Sequence, residues 1–132
     1  MIGIDANVLV RYFAQDDSVQ GPLAKRLLQR DLTEQAPGHV SLVSLAKTIW
    51  VLRSRYRATR EEIISALETL LVAPQLKVQD AAAVWQALDD CQQPGVGAAD
   101  TLIAAVDRLH GCSHTVTFDE KATRITGMKL LS

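Results

Sequence analysis

Short apolar runs that end on an acidic or polar residue alternate with segments of helical periodicity from one end of the chain to the other, and this alternation constrains the fold most. Met1–Ile4 is apolar and stops at Asp5, after which Val8, Leu9, Tyr12 and Phe13 recur at helical spacing. Leu23, Leu27 and Leu28 with Lys25, Arg26 and Arg30 outline a second, basic-faced helix, and Pro37-Gly38 marks a loop. His39–Leu42 reads as a brief strand and Val43–Tyr56 as a helix buried on most of its circumference. Thr59 followed by Glu62 matches a capping box that opens an amphipathic helix running up to Pro74.

The second half repeats the scheme. Leu76–Val78 reads as a short strand, Ala81–Cys91 as a helix, and Gln92–Gly97 as a loop. A helix begins near Asp100 and stops at Gly111; strands follow at Thr115–Phe118 and Met128–Leu131, with a turn over Lys121–Thr123. Strands that alternate with helices predict a parallel sheet covered by helices, with functional groups beyond the carboxyl ends of the strands. A chain of 132 residues with 48% hydrophobic residues is long enough to bury a core as one domain over 1–132.

Charge and cysteine usage narrow the class without naming it. A net charge of -1 leaves no overall basic footprint, so nucleic-acid binding needs a local patch. Cys91 and Cys112 lie outside any CxxC pairing and are expected as buried, reduced thiols. The apolar start lacks a basic leader, and no apolar run reaches the roughly 18 residues of a membrane span, so a soluble cytoplasmic chain without membrane attachment is expected.

Asp5 and Asp119 each close a predicted strand, and Asp100 opens a helix, where the positive dipole end favours a carboxylate. Three carboxylates held together repel one another unless a hard divalent cation such as Mg²⁺ or Mn²⁺ compensates, and such an ion can activate water for attack on phosphorus. Capping and turn chemistry place Asp at the same positions for purely structural reasons, and spacing alone does not separate the two readings.

MIGIDANVLVRYF, VSLVSLAKTIWVL, GAADTLIAA and TVTFDEKA, in this order and at these spacings, resemble the four signature segments of the PIN domain, in particular the VapC-type toxin ribonucleases. The resemblance spans nearly the whole chain. It implies a three-layer α/β/α sandwich with a four- or five-stranded parallel sheet and Mg²⁺- or Mn²⁺-dependent endoribonuclease activity. It also implies a homodimer, tRNA or ribosomal RNA as substrate, and inhibition by a cognate antitoxin. Asp5, Asp100 and Asp119 match three of the family's acids, as catalytic and metal-binding residues, and Asn7 and Thr117 match the polar residues that support them.

The remaining acid is a glutamate in the helix after the second strand, and Lys47 stands in its place. One base change converts either glutamate codon to lysine, so Lys47 reads as an inactivating substitution, engineered or selected during expression, with a naturally degenerate protein as the alternative. Exchanging a carboxylate for an ammonium is expected to weaken metal binding and leave little activity. The competing reading is a non-catalytic PIN scaffold that binds RNA or an antitoxin. A second acid three residues before Asp100, frequent in the family, is Gly97 here. Arg11 and Arg53 are the first candidates for RNA contacts. Trp50 and Trp85, set in apolar helical patterns, are expected in the core or at an interface. His110, Cys112 and His114 lack the second ligand cluster that a closed zinc site needs. A phosphoacceptor receiver domain shares the α/β alternation but wants an acidic pair after the first strand and a late lysine at a strand end, and this chain has neither.

Overall fold

A computed structural model describes residues 1–132 as two compact units, Met1–Gln79 and Asp80–Ser132. The first begins with strand β1 (Ile2–Gly3), whose apolar run ends where Asp5 takes an extended conformation and caps helix α1 (Ala6–Ala14). Helix α2 (Gln20–Arg26) continues into a π-helical turn over Leu27–Asp31. Strand β2 (Gly38–Val40) leads into helix α3 (Leu42–Ser54), then helix α4 (Arg60–Val72) and strand β3 (Leu76–Val78) come next. The three strands pair in parallel in the order β1-β2-β3, so β2 is central.

Local sequence explains where these elements begin. The Ser41 hydroxyl accepts the Ser44 N–H at 3.1 Å, and Gln79 Oε1 accepts the Leu42 N–H at 3.0 Å, so two donors at the start of α3 are satisfied. Gly38 occupies a crowded position. A Cβ there would lie 2.9 Å from Leu32 Cδ1 and 3.0 Å from Ile4 Cδ1, inside the packed face of the central strand. The expected capping box is present, with Glu62 N–H on Thr59 Oγ1 at 3.1 Å and Thr59 N–H on Glu62 Oε1 at 3.0 Å. Thr59→Ala is therefore expected to cost about 1 kcal/mol, measurable as a lowered urea midpoint with unchanged slope. Leu9, Val40, Leu45, Ile49, Ile63 and Leu70 form the innermost side chains of this unit.

The second unit contains helices α5 (Ala81–Asp90) and α6 (Ala98–Leu109), strands β4 (Thr115–Thr117) and β5 (Met128–Leu130), and a 3₁₀ turn over Lys121–Arg124. The strands pair in parallel. Val96, Ala104, Ala122, Ile125 and Met128 make its apolar cluster. Polar ties anchor α6 within this unit: Thr115 Oγ1 donates to Asp107 Oδ2 at 2.6 Å, Arg108 bonds the Thr126 carbonyl, and Arg108 pairs with Asp90 at 2.9 Å.

The α/β class and the parallel pairing are as expected. The five strands hydrogen-bond as a set of three and a set of two, each strand being only two or three residues long. Helix α6 starts at Ala98, two residues before Asp100, because Gly97 is already extended and serves as the cap position. Helix α3 departs from expectation more. It buries Leu45, Thr48, Ile49 and Leu52 but leaves Val43 and Trp50 on the surface, so one stripe of its apolar stretch faces solvent. No helix is long and apolar enough to cross a membrane.

Candidate metal and nucleic-acid site

Asp100 and Asp119 are brought together in the second unit, and chain lengths explain why. From Asp100 the helix rises ~10 Å to Asp107, at ~1.5 Å per residue. Asp107 is tied to Thr115, and the extended chain from Thr115 to Asp119 returns over ~13 Å at ~3.3 Å per residue. The strand's end thus comes back to the helix's start. The start itself is pinned by Thr101, wholly buried, whose hydroxyl donates to the Ala98 carbonyl at 2.9 Å and lies 3.2 Å from Cys91 Sγ. Asp100 is the third residue of α6, within reach of the positive helix end.

The electrostatics of this pair are those of two acids sharing a site. Burial first, and the Asp119 carboxylate second, push the Asp100 carboxyl above its ordinary value. Asp119 is shaped by its own turn: its N–H donates to Thr117 Oγ1 at 3.0 Å, and its Oδ1 accepts the Lys121 N–H at 2.9 Å. Thr117 thus fixes the backbone turn that presents Asp119. A half-buried carboxyl held above its ordinary value beside a second acid fits a divalent cation with oxygen ligands, and Asp100 and Asp119 are the residues of this unit that would hold it. Within neither unit do three His, Cys, Asp or Glu side chains gather as a ready metal cage.

Gly97 bears directly on that pair. It has φ -85° and ψ 145°, open to any residue, and a Cβ there would lie 3.8 Å from Asp100 Oδ2, in ordinary contact. Gly97→Asp is expected to fit, to lower stability in EDTA by adding a third like charge, and to steepen the rise of Tm with added Mn²⁺. Equal Mn²⁺ responses in the two proteins would refute it.

In the first unit, Asp5 caps α1 through Oδ1, which accepts the Ala6 N–H at 2.7 Å. The capping role is therefore real for Asp5, and its second oxygen carries no hydrogen bond to this unit. Lys47 is exposed on α3 and takes part in none of the unit's ion pairs. Instead Lys47 lines a groove of about 330 Å³ between α1 and α3, together with Asn7, Arg11, Trp50, Arg55 and Tyr56. Arg11 is partly committed: its guanidinium bonds Gln20 Oε1 at 2.9 Å and Asp16 Oδ1 at 3.3 Å. Tyr56 Oη donates to Asp16 Oδ2 at 3.0 Å, which fixes the ring.

Several expected positions move. Arg53 is exposed but does not line this groove, whereas Arg55 does. At roughly 100° per residue, Arg53 lies about 120° around α3 from Lys47 and position 55 about 80° away on the other side, so helical phase favours position 55 only modestly. Trp50 is 68% exposed and Trp85 44%, so neither is a core residue. Cys91 is buried, but Cys112 is exposed in the turn after α6, where no apolar layer covers it. His110 is paired with Asp80 at 3.3 Å.

Parallel strands alternating with helices, with an acid pair formed by a strand's carboxyl end and a helix's first turn, define a class of α/β protein suited to handling a divalent cation and a phosphate ester. Residues 2–128 match the family model of the PIN domain, and the chain belongs to that family. PIN domains are generally metal-dependent nucleases using Mg²⁺ or Mn²⁺. None of the curated proteins compared with the chain matches it significantly.

Proposed function

We propose that the chain is a VapC-type toxin, an endoribonuclease that cleaves structured RNA such as tRNA or ribosomal RNA, works as a homodimer and is neutralised by a cognate antitoxin. The observation that carries the reading is the Asp100–Asp119 pair inside a chain of the PIN family. Asp5, Asp100 and Asp119 are the carboxylates assigned to the metal, with Thr117 holding the turn at Asp119. When bound, a divalent cation would supply an activated water and charge compensation at the scissile phosphate. The protein's own part is to keep Asp100 at a helix start that Thr101 locks, so that the acid pair is organised before any substrate arrives.

Lys47 qualifies the activity of this sequence. Standing where the resemblance expects a glutamate, it removes one acid and adds one cation, so metal affinity and turnover in this form are low. Its origin as an engineered or selected lesion belongs to the same proposal. A non-catalytic scaffold is the second reading, favoured by the same lysine and its exposed groove. Cleavage of a structured RNA with Mn²⁺, measured for this chain and for Lys47→Glu, separates them. Cutting by the variant alone supports the disabled enzyme, and no cutting by either supports the scaffold.

A further inference from the structure

The groove between α1 and α3 has a composition that neither the acid pair nor the packing of the first unit accounts for. Lys47 and Arg55 lie on its α3 side, eight residues and ~12 Å apart along the helix, and Trp50 lies between them in sequence. Trp50 leaves 68% of its surface in solvent, an unusual position for so large an apolar ring. Tyr56 is held in place through Asp16, and Arg11 is braced by Gln20 and Asp16, so these two lining side chains are preset. No carboxylate lines the groove, and its 330 Å³ lies in the range of small-ligand sites.

We propose that this groove binds single-stranded RNA, with one base stacked on the Trp50 indole and the flanking phosphates on Lys47 and Arg55. The inference rests on the nuclease reading above for the identity of the polymer as RNA. Charge complementarity selects the occupant. Two cations that pair with no acid of this unit call for an anion, and an exposed indole lining the same groove calls for a flat apolar surface. A nucleotide presents both at once, and stacking tolerates any base because every base has a π-face. Asn7 adds an amide at the groove's edge that can meet a base's hydrogen-bonding rim. In this view Lys47 is a phosphate ligand of the groove as well as a missing acid.

The test uses the full chain carrying Trp85→Phe, so that Trp50 is the sole tryptophan, and a nine-nucleotide 2′-O-methyl oligoribonucleotide in EDTA, which is bound without being cut. Quenching of Trp50 fluorescence on titration is expected. In fluorescence anisotropy of the labelled oligonucleotide, Trp50→Ala should weaken binding at least about tenfold and Trp50→Phe much less. Lys47→Glu should lower the slope of log affinity against log salt by about one. Because Trp50 is exposed, Trp50→Ala and Trp50→Phe should keep the parent's Tm. Binding unchanged in Trp50→Ala and Lys47→Glu overturns the proposal. So does an absent quench, or capture of the groove by a polyglutamate peptide or a second copy of the chain in preference to the oligonucleotide. The nuclease reading is judged separately: Mn²⁺-dependent cutting by Lys47→Glu without any role for Trp50 sinks only the groove. Stacking on Trp50 with no cutting by either protein sinks only the nuclease.

Discussion

Lys47→Glu raises Mn²⁺-dependent cleavage of a structured RNA by about 10²–10³-fold over this chain, the rate expected when several kcal/mol of metal-derived stabilisation of charge is regained. The substitution changes the local charge by two units at almost no structural cost. Lys47 is exposed, breaks no ion pair of its unit when replaced, and occupies a helix interior where lysine and glutamate have similar propensity. With Mn²⁺ present to compensate the added carboxylate, stability should stay close to the parent's, and a rate change can be assigned to the site. Lys47→Gln provides the control, because it removes the cation and offers only a neutral amide oxygen in place of a carboxylate, and a rate between the two is expected. If Lys47 is also a phosphate ligand, the glutamate variant gains in kcat while its KM rises, and the split between the constants reports both roles. Equal rates for the parent and the Lys47→Glu protein across a Mn²⁺ titration would refute the argument.

Legibility in the sequence tracks the strength of local signals. The capping box at Thr59 and Glu62, the helix ending near Gly111 and the strands at Leu76 and Met128 all depend on interactions within a few residues, and each is found where expected to within two residues. The pairing of Asp100 with Asp119 is legible only as a convergence at strand and helix ends. The Thr115–Asp107 bond that returns the chain to the helix start is a contact with no motif of its own. The exposure of Trp50 is hidden for a different reason. Val40–Leu52 is so apolar that its helical phase is nearly featureless, and a stretch of this kind reads as buried on every side. Only packing decides which stripe is covered, and here Leu45, Ile49 and Leu52 are taken inward while Lys47 and Trp50 are left out. Arg55 escapes notice because a run of arginines from position 53 to position 60 looks like one patch until the end of α3 splits it between faces.

Asp100→Asn abolishes the Mn²⁺-dependent cleavage regained by Lys47→Glu, yet it makes the folded protein more stable at neutral pH. These opposite effects have one cause. Burial and the Asp119 carboxylate hold the Asp100 carboxyl above its ordinary value, so the folded state takes up a proton here more readily than the unfolded chain. The group therefore favours folding below its unfolded value near ~3.9, and that contribution is lost as the pH rises through the raised folded value. At neutral pH the ionised carboxylate is a burden that asparagine, similar in shape and uncharged, does not carry. Thermal unfolding in EDTA should give a higher Tm for Asp100→Asn than for the parent at pH 7, with the two curves converging as the pH falls toward about 4. Asp119→Asn relieves only the second cause and should raise Tm less. Added Mn²⁺ should narrow the gap from the other side, by stabilising the parent and leaving Asp100→Asn nearly unmoved. A neutral-pH Tm for Asp100→Asn at or below the parent's, with Mn²⁺ acting alike on both, would show that the pair is neither strained by its charge nor a metal ligand.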